Sequence, residues 1–175
     1  MNTLVNYLNE ENLSNIILYS FIFISMFYIS EVGGYFWHRW GAHTNIVPPV
    51  RQTHYIHHLA DLSHEAHEDF FWVIVLLVSL GIFLTYLYYK NWINLTILMI
   101  IYIPVIITFT WNWYIHSAYH HKDHWLNQYE WFQNDKRSHF QHHINPKCNY
   151  SIATHFTDEF FNTFEYGFPI DNEVN

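Results

Sequence analysis

Three long apolar runs restrict the folds open to this chain. They occupy residues 13–37, 73–89 and 92–115, and the aromatic residues 70–72 extend the second run at its start. An α-helix rises ~1.5 Å per residue, so about 20 residues cross a hydrocarbon layer ~30 Å thick. With its flanking aromatics included, each run is long enough. We therefore predict an all-α, polytopic membrane protein with about three transmembrane helices.

A soluble helical bundle is the alternative architecture. It would bury three apolar helices, and a chain of 175 residues leaves too little sequence to cover them with polar surface. The lone cysteine, Cys148, excludes a disulfide framework and a thiolate-bound zinc or iron–sulfur site within this chain. A net charge of −8 with scattered basic residues argues against nucleic acid as a partner.

One membrane-embedded domain is predicted over residues 13–168. It lies between a polar N-terminal tail, residues 1–12, and a polar C-terminal tail, residues 169–175. Acidic rather than basic residues precede the first apolar run, and no small-residue cleavage site follows it. We therefore expect a retained helix and not a signal peptide.

Two histidine-rich segments, residues 38–69 and 116–143, lie on either side of the hairpin formed by the second and third runs. Because the hairpin crosses the membrane twice, turning at residues 90–91, both segments emerge on the same side. The basic residues on that side are Arg39, Arg51, Lys122, Lys136, Arg137 and Lys147, and only Lys90 lies opposite. Short basic loops stay cytosolic. The sequence thus predicts a histidine-rich helical cap on the cytosolic face of a bacterial inner membrane or of the endoplasmic reticulum.

The cap contains two copies of an H-x-x-H-H motif, HYIHH at 54–58 and HFQHH at 139–143. Helix positions i, i+3 and i+4 fall within an arc of about 100°, so the three histidines of each copy should converge on one centre. His116 and His120 also share a helical face. His38 and His43 are five residues apart, so we expect Gly41 to end the helix and let His43 fold back.

These spacings point to metal binding. Neutral imidazole is the commonest protein metal ligand and suits iron, zinc, copper and nickel. Ten imidazoles exceed what one ion can hold, which favours two ions. The candidate ligands are His38, His43, His54, His57, His58, His116, His120, His139, His142 and His143.

The other polar residues of the cap are weaker candidates. His64 and His67 have a spacing that can complete a site, whereas His121, His124 and His155 are expected to be ordinary polar residues or supports for the ligands. Interleaved acidic residues can accept the second N–H of a ligating histidine. Glu31 lies on the helical face of His38 and either supports a ligand or extends to the membrane interface.

The four motifs HRWGAH, HYIHH, HSAYH and HFQHH form one ordered set with an apolar hairpin at its middle. In order and spacing this set resembles the fatty acid hydroxylase/sterol desaturase superfamily of integral-membrane, non-haem diiron enzymes, to which carotenoid hydroxylases are closely related. The later segment NYSIATHFTDEFFNTF is similar to the family's N-Y-G…W-D-x-x-F-G-T. The resemblance covers about residues 31–164.

Within that later segment, Asn149, Tyr150 and Asp158 match the family pattern, and Asp158 is a further candidate support for the metal site. Three positions depart from the pattern. Ser151 replaces a glycine, Thr157 replaces an aromatic residue, and Asn162 replaces the glycine before Thr163.

The resemblance implies that the ten histidines bind two iron ions and that O₂ is a co-substrate, with no catalytic residue beyond the ligands. It implies hydroxylation or desaturation of an apolar lipid from the bilayer, such as a fatty acyl chain, a sterol or a carotenoid. A soluble ferredoxin or cytochrome b5 is the expected electron donor. Zinc can occupy the sites of a purified sample, since affinity alone does not select iron.

Two other functions stay open from the sequence. A histidine-rich membrane protein that binds or transports metal without oxygenase activity would carry ionisable ligands near the bilayer midplane, yet the second run has no histidine or charge. A haem-carrying electron-transfer subunit would pair axial histidines across its spans, and the centres of these runs lack histidine.

Overall fold

The computed structural model describes residues 10–59 and 67–167, and every regular element within them is helical. This confirms the predicted all-α class for the described residues. The elements in chain order are α1 (Glu10–Phe36), a π-helical turn (Trp37–Ala42), α2 (Pro48–Leu59), α3 (His67–Tyr89), α4 (Leu95–His120), a 3₁₀ turn (Trp125–Gln128), α5 (Glu130–Ile144) and α6 (Phe156–Phe160).

Three helical stretches in the described chain are long and apolar enough to cross a membrane: Asn12–Ala42, Phe71–Tyr89 and Leu95–His120. Their outward side chains are large and apolar; Phe21 and Ile82, for example, are 69% and 67% exposed. An apolar surface of this extent requires lipid around it. The prediction of a polytopic membrane protein with about three spans is confirmed.

The α3–α4 hairpin closes through two asparagines. Asn91 adopts a left-handed φ of 58°, and the amide of Trp92 donates to the Leu87 carbonyl at 3.0 Å, which is the bonding of a Schellman C-cap. Asn94 caps the next helix by accepting from the amide of Ile97 at 2.9 Å. Helix α4 therefore begins at Leu95, later than the apolar run at residue 92.

Close packing holds the two hairpin helices together. A Cβ atom at Gly81 would lie 2.7 Å from the hydroxyl oxygen of Tyr102, so only glycine admits that ring. The Tyr102 hydroxyl donates to the Leu77 carbonyl at 2.9 Å. Helix α1 packs on the other side of α4. The three spans therefore form a layer with α4 in the middle.

Helix α4 continues past the predicted end of its apolar run, through His120. Its last turns share a core with the 3₁₀ turn and α5, formed by Ile115, Ala118, Tyr119, Leu126 and Phe132. Because one continuous helix runs from the span into this core, it fixes the cap rigidly on the spans.

The expected helix end at Gly41 is confirmed to within one residue, since the helix ends at Ala42. The sequence did not predict how it ends, which is through a widened, π-helical last turn, Trp37–Ala42. A π-helix bonds residues five apart, so it brings side chains at that spacing toward one side, where an α-helix would not. His38 and His43 are five apart, and their Nε2 atoms lie 3.3 Å from each other. The widened turn is what makes this pair converge.

Candidate metal centre

Ten histidines from four separate stretches meet in two groups of five. Within each group the potential ligand atoms all lie within 4.8 Å of one another. Group A contains His38, His43, His54, His58 and His142, and group B contains His57, His116, His120, His139 and His143. These are the ten histidines of the four sequence motifs, so each group has an arrangement that can hold a metal ion.

Group A is arranged around the Nε2 atom of His54. That atom lies 3.0 Å from the Nε2 atoms of His38, His43 and His58. The Nε2 atom of His43 is also 3.0 Å from that of His142. The five rings therefore direct the same nitrogen into one small space.

Group B has the same spacing. The Nε2 atom of His139 lies 2.9 Å from that of His120 and 3.1 Å from that of His143. The Nε2 atom of His116 is buried and has no hydrogen-bond partner within the described ranges. A buried nitrogen of this kind is destabilising unless something binds it.

The spacing between nitrogens tests whether a metal ion fits. Two nitrogens bound ~2.1 Å from one ion lie ~3.0 Å apart when their bonds meet at a right angle and ~3.4 Å apart in a tetrahedron. Most of the short distances, 2.9–3.1 Å, match the right angle, and the 3.3 Å between His38 and His43 lies nearer the tetrahedral value. Both groups therefore have nitrogens close enough together to bind one metal ion.

Each H-x-x-H-H motif divides its histidines between the two groups, which differs from the expected convergence on one centre. His54 and His58 join group A while His57 joins group B; in the second copy His139 and His143 join group B while His142 joins group A. Adjacent helix positions differ by about 100° in direction. The i and i+4 rings therefore turn to one metal site and the i+3 ring to the other.

Backbone carbonyls orient two of the rings. The Nδ1–H of His38 donates to the Tyr150 carbonyl at 2.6 Å, and the Nδ1–H of His142 donates to the Cys148 carbonyl at 2.7 Å. A histidine that donates from Nδ1 keeps a lone pair on Nε2. These bonds thus prepare His38 and His142 to bind a metal through Nε2, as outer hydrogen bonds do at metal sites.

The rings of the cap are held in the neutral form that metals require. Burial, followed by the neighbouring His38 and His58, lowers the pKa of His43 to about 2. Burial also lowers the pKa of His58 to about 4, and it places the pKa of His139 and His142 well below the usual value. Protons therefore compete weakly for these nitrogens near neutral pH.

Asp158 supports the site through the backbone. Its side chain is fully buried and accepts from the amides of Tyr150 at 2.9 Å and Ser151 at 2.7 Å. The carbonyl of the same Tyr150 receives the His38 ring. Asp158 thus fixes the segment that orients a group A histidine without itself reaching the ligand atoms.

Asn149 joins this segment to the rest of the cap. Its φ of 52° is left-handed, and its side-chain amide donates to the carbonyls of Ser138 and Glu165 at 2.9 and 2.8 Å. Asn162, which stands where the family pattern has glycine, also has a left-handed φ, 54°. Asparagine is the residue that most readily substitutes for glycine there.

The weaker candidates lie elsewhere. His64 and the side chain of His67 fall outside the described residues. His121 and His124 stack on each other with ring centroids 6.3 Å apart, away from both groups. His155 bonds Asp135 at 2.8 Å. Within the described chain, none of the last three joins a group of potential metal ligands.

Tyr35 is a supporting residue that sequence reasoning missed. Its ring is buried and stacks on Phe161 with centroids 5.2 Å apart, and its hydroxyl lies 3.1 Å from Thr163 Oγ1. Arg39 donates to the same hydroxyl at 2.7 Å. The sequence offered one signal for this role. Tyr35 lies four residues before Arg39, on the face of the first helix that carries His38.

A cavity opens beside both groups on the membrane side of the cap. Its volume is about 100 Å³. His38 and His54 of group A and His116 of group B line one part of it, and its walls include Trp72, Val73, Phe109 and Trp113. An apolar molecule in this cavity would lie directly against the histidine groups.

Comparison with known protein families gives a match that covers most of the chain. The model of the fatty acid hydroxylase family matches residues 23–163 of this chain, a stretch that contains both histidine groups. Comparison with curated proteins and with solved structures gives no significant match.

Proposed function

Since the chain belongs to the fatty acid hydroxylase family, we propose that it is an O₂-dependent diiron membrane oxidoreductase that hydroxylates or desaturates an apolar lipid. The single observation that carries this proposal is the pair of five-histidine groups beside an apolar cavity. The substrate would be a fatty acyl chain, a sterol or a carotenoid.

Iron is the metal that the donor set supports best. Each group supplies five imidazole nitrogens, and open octahedral sites rich in imidazole suit non-haem iron, whereas zinc in proteins is mostly bound by four ligands in a tetrahedron. The ten histidines of groups A and B would be the ligands. Zinc can still occupy the groups after purification, because its intrinsic affinity for such sites is high.

When bound, the iron pair would supply the oxidising power that no side chain has. With it, O₂ can be used to oxidise an unactivated C–H bond. The protein's part is to position the substrate beside the histidine groups. The walls formed by Trp72, Val73 and Phe109 accept an apolar substrate from the bilayer and exclude water from the histidine groups. His38 and His142, held by backbone carbonyls, keep the ligand set rigid while the substrate enters.

Electrons must come from a separate soluble protein. Inserting one oxygen atom as a hydroxyl group reduces the other to water, which consumes two electrons and two protons from outside. A ferredoxin or a cytochrome b5 would deliver the electrons to the cap. Six of the seven basic residues lie on the side of the cap, so this face would be cytosolic.

Metal transport is less well supported. A transport pathway needs ionisable groups through the bilayer, whereas the histidine groups gather at one end of the spans. The described part of α3, from Phe71 to Tyr89, carries no histidine or charged residue.

The proposal is tested by assaying the purified, iron-loaded protein with O₂, a reductase and deuterated fatty acids, sterols and carotenoids. Mass spectrometry should reveal one product that has gained an oxygen atom or lost two hydrogens. His57→Ala should abolish that product, and His155→Ala should not. Metal flux across proteoliposomes without O₂ consumption would contradict the proposal.

A further inference from the structure

A carboxyl group lies inside the membrane part of the cavity. Glu31 sits seven residues before His38 on the same helix, about 10 Å toward the membrane interior. Asn112 lies four residues before His116, about 6 Å deeper than that ligand. Both side chains line the cavity that reaches the histidine groups. An ionisable residue at such a place is more often functional than structural.

This pair retains unused hydrogen-bond acceptors. Glu31 accepts from the Asn112 side-chain amide at 3.1 Å and from the Thr154 hydroxyl at 3.3 Å. A carboxylate offers about four lone-pair positions, so two such bonds leave capacity for another donor. The Oδ1 atom of Asn112 is buried and has no partner within the described ranges.

A third polar group faces the same cavity. Ser151, which stands where the family pattern has glycine, lines the cavity, and its Oγ atom is buried without a partner in the described part of the chain. Glu31 and Asn112 thus form a polar end, and Ser151 adds a further polar wall residue, in a cavity whose other walls are mostly aromatic and aliphatic.

The charge of this polar end selects its ligand. No lysine or arginine is among the residues that line the cavity. A carboxylate or phosphate would therefore be buried beside the Glu31 carboxylate without a lysine or arginine to pair with, which is strongly unfavourable. A neutral group that donates a hydrogen bond satisfies the acceptors without that penalty.

We infer that the Glu31–Asn112 pair binds a hydroxyl or amide N–H of the lipid substrate, held within about 10 Å of the carbon that is oxidised. That the substrate is oxidised at all rests on the proposed function. The substrate class is then a lipid alcohol or amide that enters polar end first and reacts near that end. A free fatty acid, or a chain oxidised far from its polar group, does not fit.

The experiment measures binding without turnover. Tritiated hexadecanol is bound to the purified full chain in detergent, and unlabelled hexadecanol, its methyl ether and palmitate compete with it. The ether keeps the acceptor oxygen and loses the donor. We expect the ether and palmitate to compete at least about tenfold more weakly than the alcohol, the effect of one buried hydrogen bond to a charged acceptor. Equal competition by alcohol and ether would overturn the inference.

Three variants locate the effect. Asn112→Leu should reduce the alcohol-to-ether preference to less than about threefold, while Glu31→Gln, whose neutral amide oxygen accepts more weakly than a carboxylate, should retain part of it. Ser79→Ala is the matched control, because the Ser79 hydroxyl only bonds the Val75 carbonyl on the exposed face of α3. An unchanged preference in Asn112→Leu would contradict the assignment of the site.

Binding and catalysis fail separately in this design. A clear alcohol preference in a protein that oxidises no lipid would refute the proposed function and leave the binding site standing. Lipid oxidation without any alcohol preference would refute the binding site and leave the function standing.

Discussion

The imidazole rings of His58 and His143 stack, with centroids 4.3 Å apart and planes 22° apart. His58 belongs to group A and His143 to group B, so this contact joins the two groups. Each ring comes from the last position of its H-x-x-H-H motif. The two motifs thus face each other across the centre of the cap, and a change in one group is expected to reach the other.

Asp158 should control metal affinity without being a ligand. In Asp158→Asn the amide nitrogen cannot accept a hydrogen bond, so one of the amides of Tyr150 and Ser151 loses its partner. The carbonyl that orients His38 then shifts. Loss of such outer support typically weakens metal binding by about 10–100-fold. Competition with a chelator measures it.

Glu159→Gln is the control for that variant, since Glu159 is adjacent in sequence and exposed. It should leave metal affinity unchanged. Equal affinities for Asp158→Asn and the parent protein would show that Asp158 does not position the ligand set.

Because the backbone at Asn162 is left-handed, a glycine and a branched residue at this position should affect stability differently. Asn162→Gly is expected to change the free energy of unfolding by less than about 0.5 kcal/mol, whereas Asn162→Val should lose about 1–2 kcal/mol, because a branched residue is strained at a φ of 54°. Denaturation in mild detergent measures both. Equal stability of the two variants would be the contrary result.

The metal-free protein should become less stable in acid. The unfolded chain takes up protons on histidine near pH 6.5, but the folded-state pKa of His58 is lowered to about 4 and that of His43 to about 2. Stability is therefore complete above about pH 6.5 and falls as the pH drops toward 4 and then 2. Melting temperatures of chelator-treated protein measured between about pH 7 and pH 5 report this loss.

His58→Asn removes one of these titrating groups and should flatten that pH dependence. A melting temperature that stays constant, or rises, as the pH falls through this window would contradict the burial of neutral rings.

The cap is expected on the cytosolic side. Lys147→Cys places a thiol on the exposed edge of the cap, and Lys90→Cys places one at the opposite end of the spans. The native Cys148 is buried and its pKa is raised to about 12, so its thiol should react slowly. A membrane-impermeant maleimide added to intact cells should label Lys90→Cys only; labelling of Lys147→Cys alone would reverse the orientation.

The sequence predicted the histidine cap because the number of membrane crossings between two segments, and the spacing of histidines within a motif, can both be read directly from it. Two apolar runs between the motifs force both histidine segments to one end, whatever the packing. The pattern did not predict the division of each motif between two groups. Positions i+3 and i+4 share one broad helical face, and only the location of the partner helix decides which site each ring reaches.

The π-helical turn was also beyond the sequence. Gly41 indicated the helix end but not the widened turn, in which the missing side chain makes room for the Trp37 ring; a Cβ atom would lie 3.1 Å from that ring. The carbonyls that orient His38 and His142 carry no side-chain signal, because any residue has a carbonyl. Their role follows from the fold of residues 145–163, which brings these carbonyls against the two rings.

Metal content is the most direct test of the central claim, that two ions are held by ten histidines. The full chain is purified without oxygen, loaded with ferrous iron and desalted. Its iron content per chain is then measured by elemental mass spectrometry. We expect two irons per chain, one for each five-histidine group, and about one in His54→Ala, which removes the central nitrogen of group A. One or no iron in the parent protein, or two in His54→Ala, would contradict the account.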